Sequence, residues 1–178
     1  MLSFLKKRVG LLDGVAVTGG EPLMHKALPD FLRRVRDMGY SIKLDTNGSF
    51  PDRLEEILGL GLVDRVAMDI KNSPAMYAKT VGLESLDLKP LERSIELLVG
   101  GGIDYEFRTT VVKGLHTEES LLEAAEWIKG AKEYYLQQYK DSGNVLRPEA
   151  LGSFTDGEMK ALREAVAAVL PCAALRGI

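Results

Sequence analysis

Polar and charged residues follow short apolar runs at five places in this sequence, and their types suit the binding of a small charged ligand. Consecutive glycines let a ligand approach the backbone closely, carboxylates pair with cations, and lysine or arginine holds a carboxylate. The five clusters therefore predict a ligand-binding site. The candidate ligand-binding residues are Thr18, Gly19, Gly20, Glu21, Asp45, Thr46, Asn47, Asp69, Lys71, Arg108 and Gln138.

Each cluster taken alone also has an explanation that involves no ligand. The two glycines at 19–20 suit a tight turn between a strand and a helix, and residues 45–48 suit a turn held by side-chain-to-backbone hydrogen bonds. Asp69 and Lys71 are two residues apart, so on a strand they share one face, where they pair with each other or bind one ligand together. Five clusters in succession favour a shared site over five coincidences.

The remaining polar residues allow two interpretations each. Arg108 suits a paired core charge, or a guanidinium that binds a carboxylate or a ribose. Gln137 and Gln138 point to opposite faces of a strand, so at most one faces a ligand, and Gln138 is the candidate. His25 and His116 are isolated, and their positions predict capping or surface roles.

The hydrophobic pattern predicts the elements that position these clusters. Apolar runs of strand length alternate with stretches of helical spacing, which predicts an α/β fold with a parallel sheet and right-handed crossovers. Since the carboxyl ends of parallel strands point the same way, the clusters should converge on one face. Periodicity alone leaves open a doubly wound sheet or a partial (β/α) barrel. The predicted strands are 15–17, 41–44, 63–70, 105–111, 134–139 and 173–175.

The ends of the chain and the stretch 140–153 are less regular. Leu2, Leu5, Val9 and Leu12 follow helical spacing, which predicts an N-terminal helix with no strand before it. Residues 140–153 lack a pattern and are predicted to form a loop. The length of 178 residues suits a single domain, 1–178.

Composition excludes several classes of function. The net charge of −3 gives no reason to expect nucleic-acid or anionic-membrane binding. No apolar stretch is long enough to span a membrane and no secretory signal is recognisable, so a cytoplasmic location is expected. The one cysteine, Cys172, excludes an intrachain disulfide and an all-cysteine metal site, and no metal ligands are predicted.

Three motifs in order carry a family resemblance. Residues 18–22, Thr-Gly-Gly-Glu-Pro, match the Gly-Gly-Glu-Pro motif of radical S-adenosylmethionine (SAM) enzymes. Residues 44–48, Leu-Asp-Thr-Asn-Gly, and 68–71, Met-Asp-Ile-Lys, follow it. The set resembles the glycyl-radical-enzyme activases, which include pyruvate formate-lyase activating enzyme. The context at 4–14 and 107–111 is most similar to the activating branch for anaerobic ribonucleoside-triphosphate reductase.

The resemblance implies a partial (β/α) barrel and an oxidoreductase that uses SAM with a [4Fe–4S] cluster. A 5′-deoxyadenosyl radical would take a hydrogen atom from a glycine of a partner glycyl-radical enzyme, of the anaerobic ribonucleotide reductase or pyruvate formate-lyase type. The Gly-Gly-Glu motif would hold the amino group of SAM, and residues 45–46 would bind the ribose or order the site. Asp69 and Lys71 would hold the amino-acid end, with Arg108 nearby.

The sequence departs from this family in one respect. The family's Cys-x-x-x-Cys-x-x-Cys motif precedes Gly-Gly-Glu-Pro and is absent here, and the distant Cys172 cannot replace it. The resemblance then implies an N-terminally truncated barrel without its first strand and cluster loop, with the cluster only in a full-length parent. Such a chain would bind SAM weakly and make no radicals, and its open sheet edge would favour self-association.

Two other functions fit the same residues. One is a cluster-free barrel that binds a nucleotide or a protein partner without catalysis. The other is an aldolase-like enzyme in which Lys71 forms a Schiff base with a carbonyl substrate, since a lysine beside a carboxylate permits that chemistry. Both alternatives use the same predicted face of the sheet, so the motifs, rather than the fold, favour the radical SAM interpretation.

Overall fold

The computed structural model describes residues 1–140 and 151–178, which fall into two compact units. The first unit is Met1–Asp69 with Lys89–Tyr105, and the second is Ile70–Leu88 with Glu106–Ile178. The described helices are α1 (Leu2–Lys6), α2 (Leu28–Arg36), α3 (Pro51–Gly59), α4 (Pro74–Thr80), α5 (Lys89–Gly100), α6 (Glu118–Trp127) and α7 (Asp156–Val169). The described strands are β1 (Gly14–Val17), β2 (Ser41–Thr46), β3 (Arg65–Asp69), β4 (Asp104–Val111), β5 (Tyr134–Gln138) and β6 (Ala173–Arg176).

The described strands follow their chain order in the sheet, and the pairs with a defined register are parallel. In the first unit Val17 lies opposite Leu44, and Thr46 lies opposite Met68. In the second unit β5 pairs with β4 on one side and with β6 on the other. The predicted parallel α/β arrangement is therefore confirmed, and each predicted strand overlaps an observed one.

Strand alternation sets which face of the first unit carries polar groups. Ile42 and Leu44 of β2 are buried, and α2 packs against this strand with its fully buried Leu32. Lys43 and Asp45 alternate with them and are half-buried. The apolar face of β2 therefore lies toward α2, which leaves the opposite face for charged side chains.

The second unit is built around a sheet face covered by helices. Helix α6 contacts α4 and α7, and α7 packs on β5 and β6. Phe107 and Tyr134 are fully buried, and the Tyr134 hydroxyl shares a 2.7 Å hydrogen bond with Thr109 Oγ1. Burial raises the pKa of Tyr134 well above its usual value. Within residues 1–140 and 151–178, no helix has the length and apolar character needed to cross a membrane.

The N-terminal helix is shorter than the sequence predicts. Helix α1 ends at Lys6, and only Leu5 of its residues is buried. Val9 and Leu12 are exposed and form an isolated bridge with each other. The helical spacing is broken by Gly10, whose φ of 79° lies in the left-handed region that ends a helix. The predicted loop at 140–153 falls largely on residues outside those that the structure describes.

An ion pair joins the first and last strands of the second unit. Arg176 of β6 donates from Nη1 and Nη2 to the two carboxylate oxygens of Glu106 on β4, at 2.8 and 3.0 Å. The Glu106 side chain is 3% exposed and that of Arg176 is 36% exposed. The guanidinium lies 3.7 Å from the ring centroid of Tyr135 on β5, the strand between them. Hydrogen bonding to Glu106 raises the pKa of Arg176.

Replacing Arg176 with alanine should lower the free energy of unfolding by about 2 kcal/mol, because the Glu106 carboxylate would stay buried with two hydrogen bonds lost. Partial exposure of Arg176 keeps the loss below that of a fully buried pair. Urea unfolding followed by circular dichroism measures the change. Arg163→Ala is the matched control, since its ion pair is long, at 3.9 Å, and should change stability by less than about 0.5 kcal/mol. Equal losses in the two variants would contradict this account.

Candidate functional site

The loop after β1 has a backbone that only glycine adopts easily. Gly19 has φ of 96° and Gly20 has φ of 56°, both in the left-handed region. A Cβ atom on either residue would meet nothing within 4 Å. Thr18, Gly19 and Gly20 are all exposed. The glycines are therefore required by the path of the backbone rather than by packing, and they present an open edge of main chain.

Glu21 fastens this loop to the end of β2. Its side chain is buried, with Oε1 accepting from Leu23 N–H at 3.1 Å and from Thr46 Oγ1 at 2.9 Å. Oε2 accepts from Asn47 N–H at 2.6 Å. A carboxylate accepts about four hydrogen bonds, so roughly one position is left for a ligand donor. The structure thus brings together the predicted residues Glu21, Thr46 and Asn47.

Thr46 and Asn47 also stabilise their own turn. Thr46 Oγ1 accepts from Gly48 N–H at 3.1 Å, and Asn47 Oδ1 accepts from Ser49 N–H at 2.9 Å. Gly48 has φ of 77°, and a Cβ there would lie 2.1 Å from the Met68 side chain. These two side chains therefore order the loop, which agrees with the turn interpretation of this segment.

Sequence inspection did not single out Ser94, which holds the same turn from α5. Its hydroxyl donates to the carbonyl of Gly48 at 2.7 Å, and Ser94 is fully buried. A serine within the apolar stripe of a helix is the one signal that would have identified it, because a buried hydroxyl requires a partner. Ser94 therefore belongs to the support of the turn that follows β2.

Asp45 and Asp69 lie on the same face of the first unit. Asp45 is opposite Ala67 in the register of β2 and β3, and Asp69 is two residues beyond Ala67 on the same face. Lys43 Nζ lies 3.6 Å from Asp45 Oδ1. Both carboxylates are half-buried. The polar face of this unit therefore carries two carboxylates at neighbouring strand ends.

Lys71, Arg108 and Gln138 belong to the second unit. Lys71 is exposed, and it follows Ile70, whose N–H donates to the carbonyl of Arg108 at 2.8 Å. Arg108 is half-buried and lies opposite Tyr135 in the register of β4 and β5. The hydrogen bond of Ile70 therefore ties the main chain just before Lys71 to the main chain of Arg108.

Gln138 and Tyr135 lie on opposite faces of β5, and Tyr135 is the residue opposite Arg108. Gln138 Nε2 donates to the carbonyl of Phe154 at 2.9 Å and to Asp156 Oδ1 at 3.0 Å, which ties β5 to the start of α7. Gln137 shares its face with Tyr135 and is opposite Arg176 on β6. The sequence predicted that at most one glutamine faces a ligand and gave Gln138 as the candidate, whereas the observed register puts Gln137 on the face of Arg108.

The residue types of the first unit suit SAM. Its amino group needs acceptors, which Glu21, Asp45 and Asp69 offer, and its ribose hydroxyls need carboxylate or hydroxyl partners. The open main chain at Gly19 and Gly20 leaves room for a ligand to lie against it. These observations fit the group that the motifs imply.

The described residues do not fit an iron–sulfur cluster. Such clusters are held by several thiolates, whereas this sequence has one cysteine. The Cys172 thiol donates to the carbonyl of Ala131 at 3.2 Å, and partial burial raises its pKa. Among residues 1–140 and 151–178, no group of three His, Cys, Asp or Glu side chains is arranged to hold a metal ion. No step through a cluster is therefore assigned to this chain.

Comparison with curated proteins gives relatives with different activities. A Methanocaldococcus jannaschii protein, provisionally described as a glycyl-radical enzyme activating enzyme, is 32% identical over 133 residues, which are 72% of this chain and 55% of the relative. The 7-carboxy-7-deazaguanine synthase of Thermococcus kodakarensis is 28% identical over 124 residues, which are 69% of this chain and 45% of the relative. This chain thus spans about half the length of these curated relatives.

A solved structure shares the fold. A domain of pyruvate-formate lyase-activating enzyme from Bacteroides vulgatus superposes with a TM-score of 0.74 over 93% of this chain and 100% of that chain, at 17% identity. This likeness confirms the predicted fold class. The model of the radical SAM superfamily matches residues 1–128, which include the glycine loop, both carboxylates and Lys71. This chain belongs to the radical SAM superfamily.

Proposed function

We propose that this chain is the SAM-binding part of an activating enzyme for a glycyl-radical enzyme. The observation that carries the proposal is the Glu21 carboxylate, which fastens the glycine loop after β1 to the turn after β2. The similarity to the Methanocaldococcus jannaschii protein and the order of the three motifs support the choice of activase. The partner would be a glycyl-radical enzyme of the anaerobic ribonucleotide reductase or pyruvate formate-lyase type.

The proposed roles follow from the hydrogen bonds on each residue. Glu21 offers its remaining acceptor position to the amino group of SAM, and the main chain of Gly19 and Gly20 lies against the ligand. Asp45, a half-buried carboxylate at the end of β2, binds the ribose, and Thr46 orders the site through its hydrogen bonds with Glu21 and Gly48. In the family that the chain resembles, one-electron reduction cleaves SAM to methionine and a 5′-deoxyadenosyl radical that takes a hydrogen atom from a glycine of the partner, and a full-length parent would have to supply that electron.

The amino-acid end of SAM needs a cation for its carboxylate as well as acceptors for its amino group. The order of the motifs gives this role to Lys71, which is an exposed residue. That exposure does not favour a Schiff-base role, since such lysines are activated by an apolar environment or a neighbouring cation. The second candidate is the cluster-free barrel, which would bind a nucleotide or a protein partner without catalysis.

Calorimetric titration of the 178-residue chain with SAM should give weak binding, with a Kd of about 0.1 to 1 mM, or about −5.5 to −4.1 kcal/mol. The binding is weak because the unique iron that chelates the amino and carboxylate groups in the family has no ligands in this sequence. A Kd below about 1 µM would contradict that reason. No heat at several millimolar SAM would contradict the SAM site itself.

Gly19→Ala should weaken SAM binding at least about tenfold, because the strained left-handed backbone shifts and the added methyl group lies at the open main chain. Gly39→Ala is the matched control: Gly39 has φ of 88° with nothing within 4 Å of a Cβ, and it follows α2 away from the ligand loop. Both variants should lose similar stability, about 1 to 2 kcal/mol. Titration and urea unfolding separate the two effects. Equal SAM affinity in both variants would argue against a ligand at Gly19.

The partner class is tested by binding of purified pyruvate formate-lyase and anaerobic ribonucleotide reductase in their non-radical forms. One of the two should bind the immobilised chain at micromolar concentration in biolayer interferometry, while serum albumin should not. Binding of neither enzyme would contradict the activase proposal and favour the cluster-free module. The SAM titration would stand in either case.

A further inference from the structure

The segment after β3 is held by β4 through hydrogen bonds to its main chain. Ile70 N–H donates to the carbonyl of Arg108 at 2.8 Å, and the Ile70 carbonyl accepts from Thr109 Oγ1 at 2.6 Å. Thr109 is 1% exposed, so this bond is shielded from water. The main chain that leads into Lys71 is therefore fixed at the residue before it.

His116, in the loop after β4, binds the next carbonyl. Its Nδ1 accepts from Val112 N–H at 3.1 Å, and its Nε2 lies 2.9 Å from the carbonyl oxygen of Lys71. Nδ1 also lies 3.3 Å from the Val112 carbonyl oxygen, but the Val112 N–H can only donate, so in the neutral ring Nδ1 accepts and the Nε2 proton is donated to the Lys71 carbonyl. His116 is 4% exposed, and burial lowers its pKa, which favours this neutral form. The sequence predicted a capping or surface role for this residue, and the structure buries it.

Asn72 fastens the same two loops from the other direction. Its Nδ2 donates to the carbonyl of Leu115 at 2.9 Å and to Thr80 Oγ1 at 2.8 Å. Its Oδ1 accepts from Ser73 N–H at 2.8 Å, and Asn72 is fully buried. Three buried side chains thus connect the segment after β3 to β4 and the loop that follows it. Thr109 and His116 bind the carbonyls of Ile70 and Lys71, and Asn72 binds the carbonyl of Leu115.

We infer that His116 is a positioning residue for the Lys71 side chain. By holding the Lys71 carbonyl, it fixes the point from which the flexible four-carbon stem leaves the main chain. A fixed main chain sets the direction in which the stem leaves it, and so the direction from which the ammonium reaches a ligand carboxylate. This inference rests on the proposed function, in which Lys71 binds the carboxylate of SAM.

The test compares SAM with 5′-methylthioadenosine, which has the nucleoside but no carboxylate, by titration of the full chain. Lys71→Ala should weaken SAM about tenfold and leave 5′-methylthioadenosine unchanged. His116→Asn keeps an acceptor near Val112 but cannot reach the Lys71 carbonyl, and should weaken SAM about fivefold without affecting 5′-methylthioadenosine. His116→Gln places an amide N–H near the Nε2 position and should restore SAM affinity to within about twofold. Lys129→Ala, at an exposed lysine of the second unit, should change neither affinity.

Three outcomes would overturn the inference. One is that His116→Asn weakens both ligands equally, which indicates a general structural role. Another is that Lys71→Ala weakens SAM whereas His116→Asn does not, which leaves the proposed function intact. The third needs no variant: nitrogen NMR of the wild-type ring at pH 7.5 should show the proton on Nε2, and a proton on Nδ1 alone would exclude the bond to Lys71. No SAM binding by the wild-type chain would instead refute the proposed function.

Discussion

A buried carboxylate must have its charge satisfied by donors, and the edge of the first unit that carries the glycine loop depends on how Glu21 meets that requirement. Its oxygens accept from one side-chain hydroxyl and two backbone N–H groups. Two of these donors belong to the turn after β2, so the glycine loop and that turn cannot separate without leaving a charge unsatisfied. The Glu21 side chain therefore joins the glycine loop to the turn after β2, and each of these two segments contains a glycine in the left-handed region.

In the second unit, the described loops after β3 and β4 are held together by neutral groups. The carbonyls of Ile70 and Lys71 accept from a threonine hydroxyl and an imidazole, and Asn72 spans the same gap with its amide. Neutral groups of this kind avoid the cost of desolvating an ion. In the first unit, Asp45 thus lies at a strand end that the Glu21 carboxylate helps to hold. In the second unit, the loop that carries Lys71 is held by the neutral side chains of Thr109 and His116.

The sequence indicated the strands and the Gly-Gly-Glu motif because both depend on local pattern. Left-handed glycines and apolar runs are properties of a few adjacent residues. Whether Gln137 or Gln138 shares a face with Arg108 depends on the register with β4, which no local pattern specifies. The burial of His116 likewise depends on the contact of its loop with Lys71, 45 residues earlier in the chain. The prediction of an N-terminal helix that continues to Leu12 was wrong for a local reason, because Gly10 has a left-handed backbone that a helix cannot include.

Trp127 packs edge-to-face against Tyr77, with ring centroids 5.7 Å apart. This contact sets the environment of the indole, and therefore the tryptophan fluorescence of the protein. Trp127 is the sole tryptophan in the sequence, and it lies at the end of α6 in the second unit. Indole emission is sensitive to the polarity of its surroundings, so intrinsic fluorescence follows the packing of α4 against α6. The glycine loop and the turn after β2 contain no tryptophan, so a different probe, such as calorimetry, is needed to follow them directly.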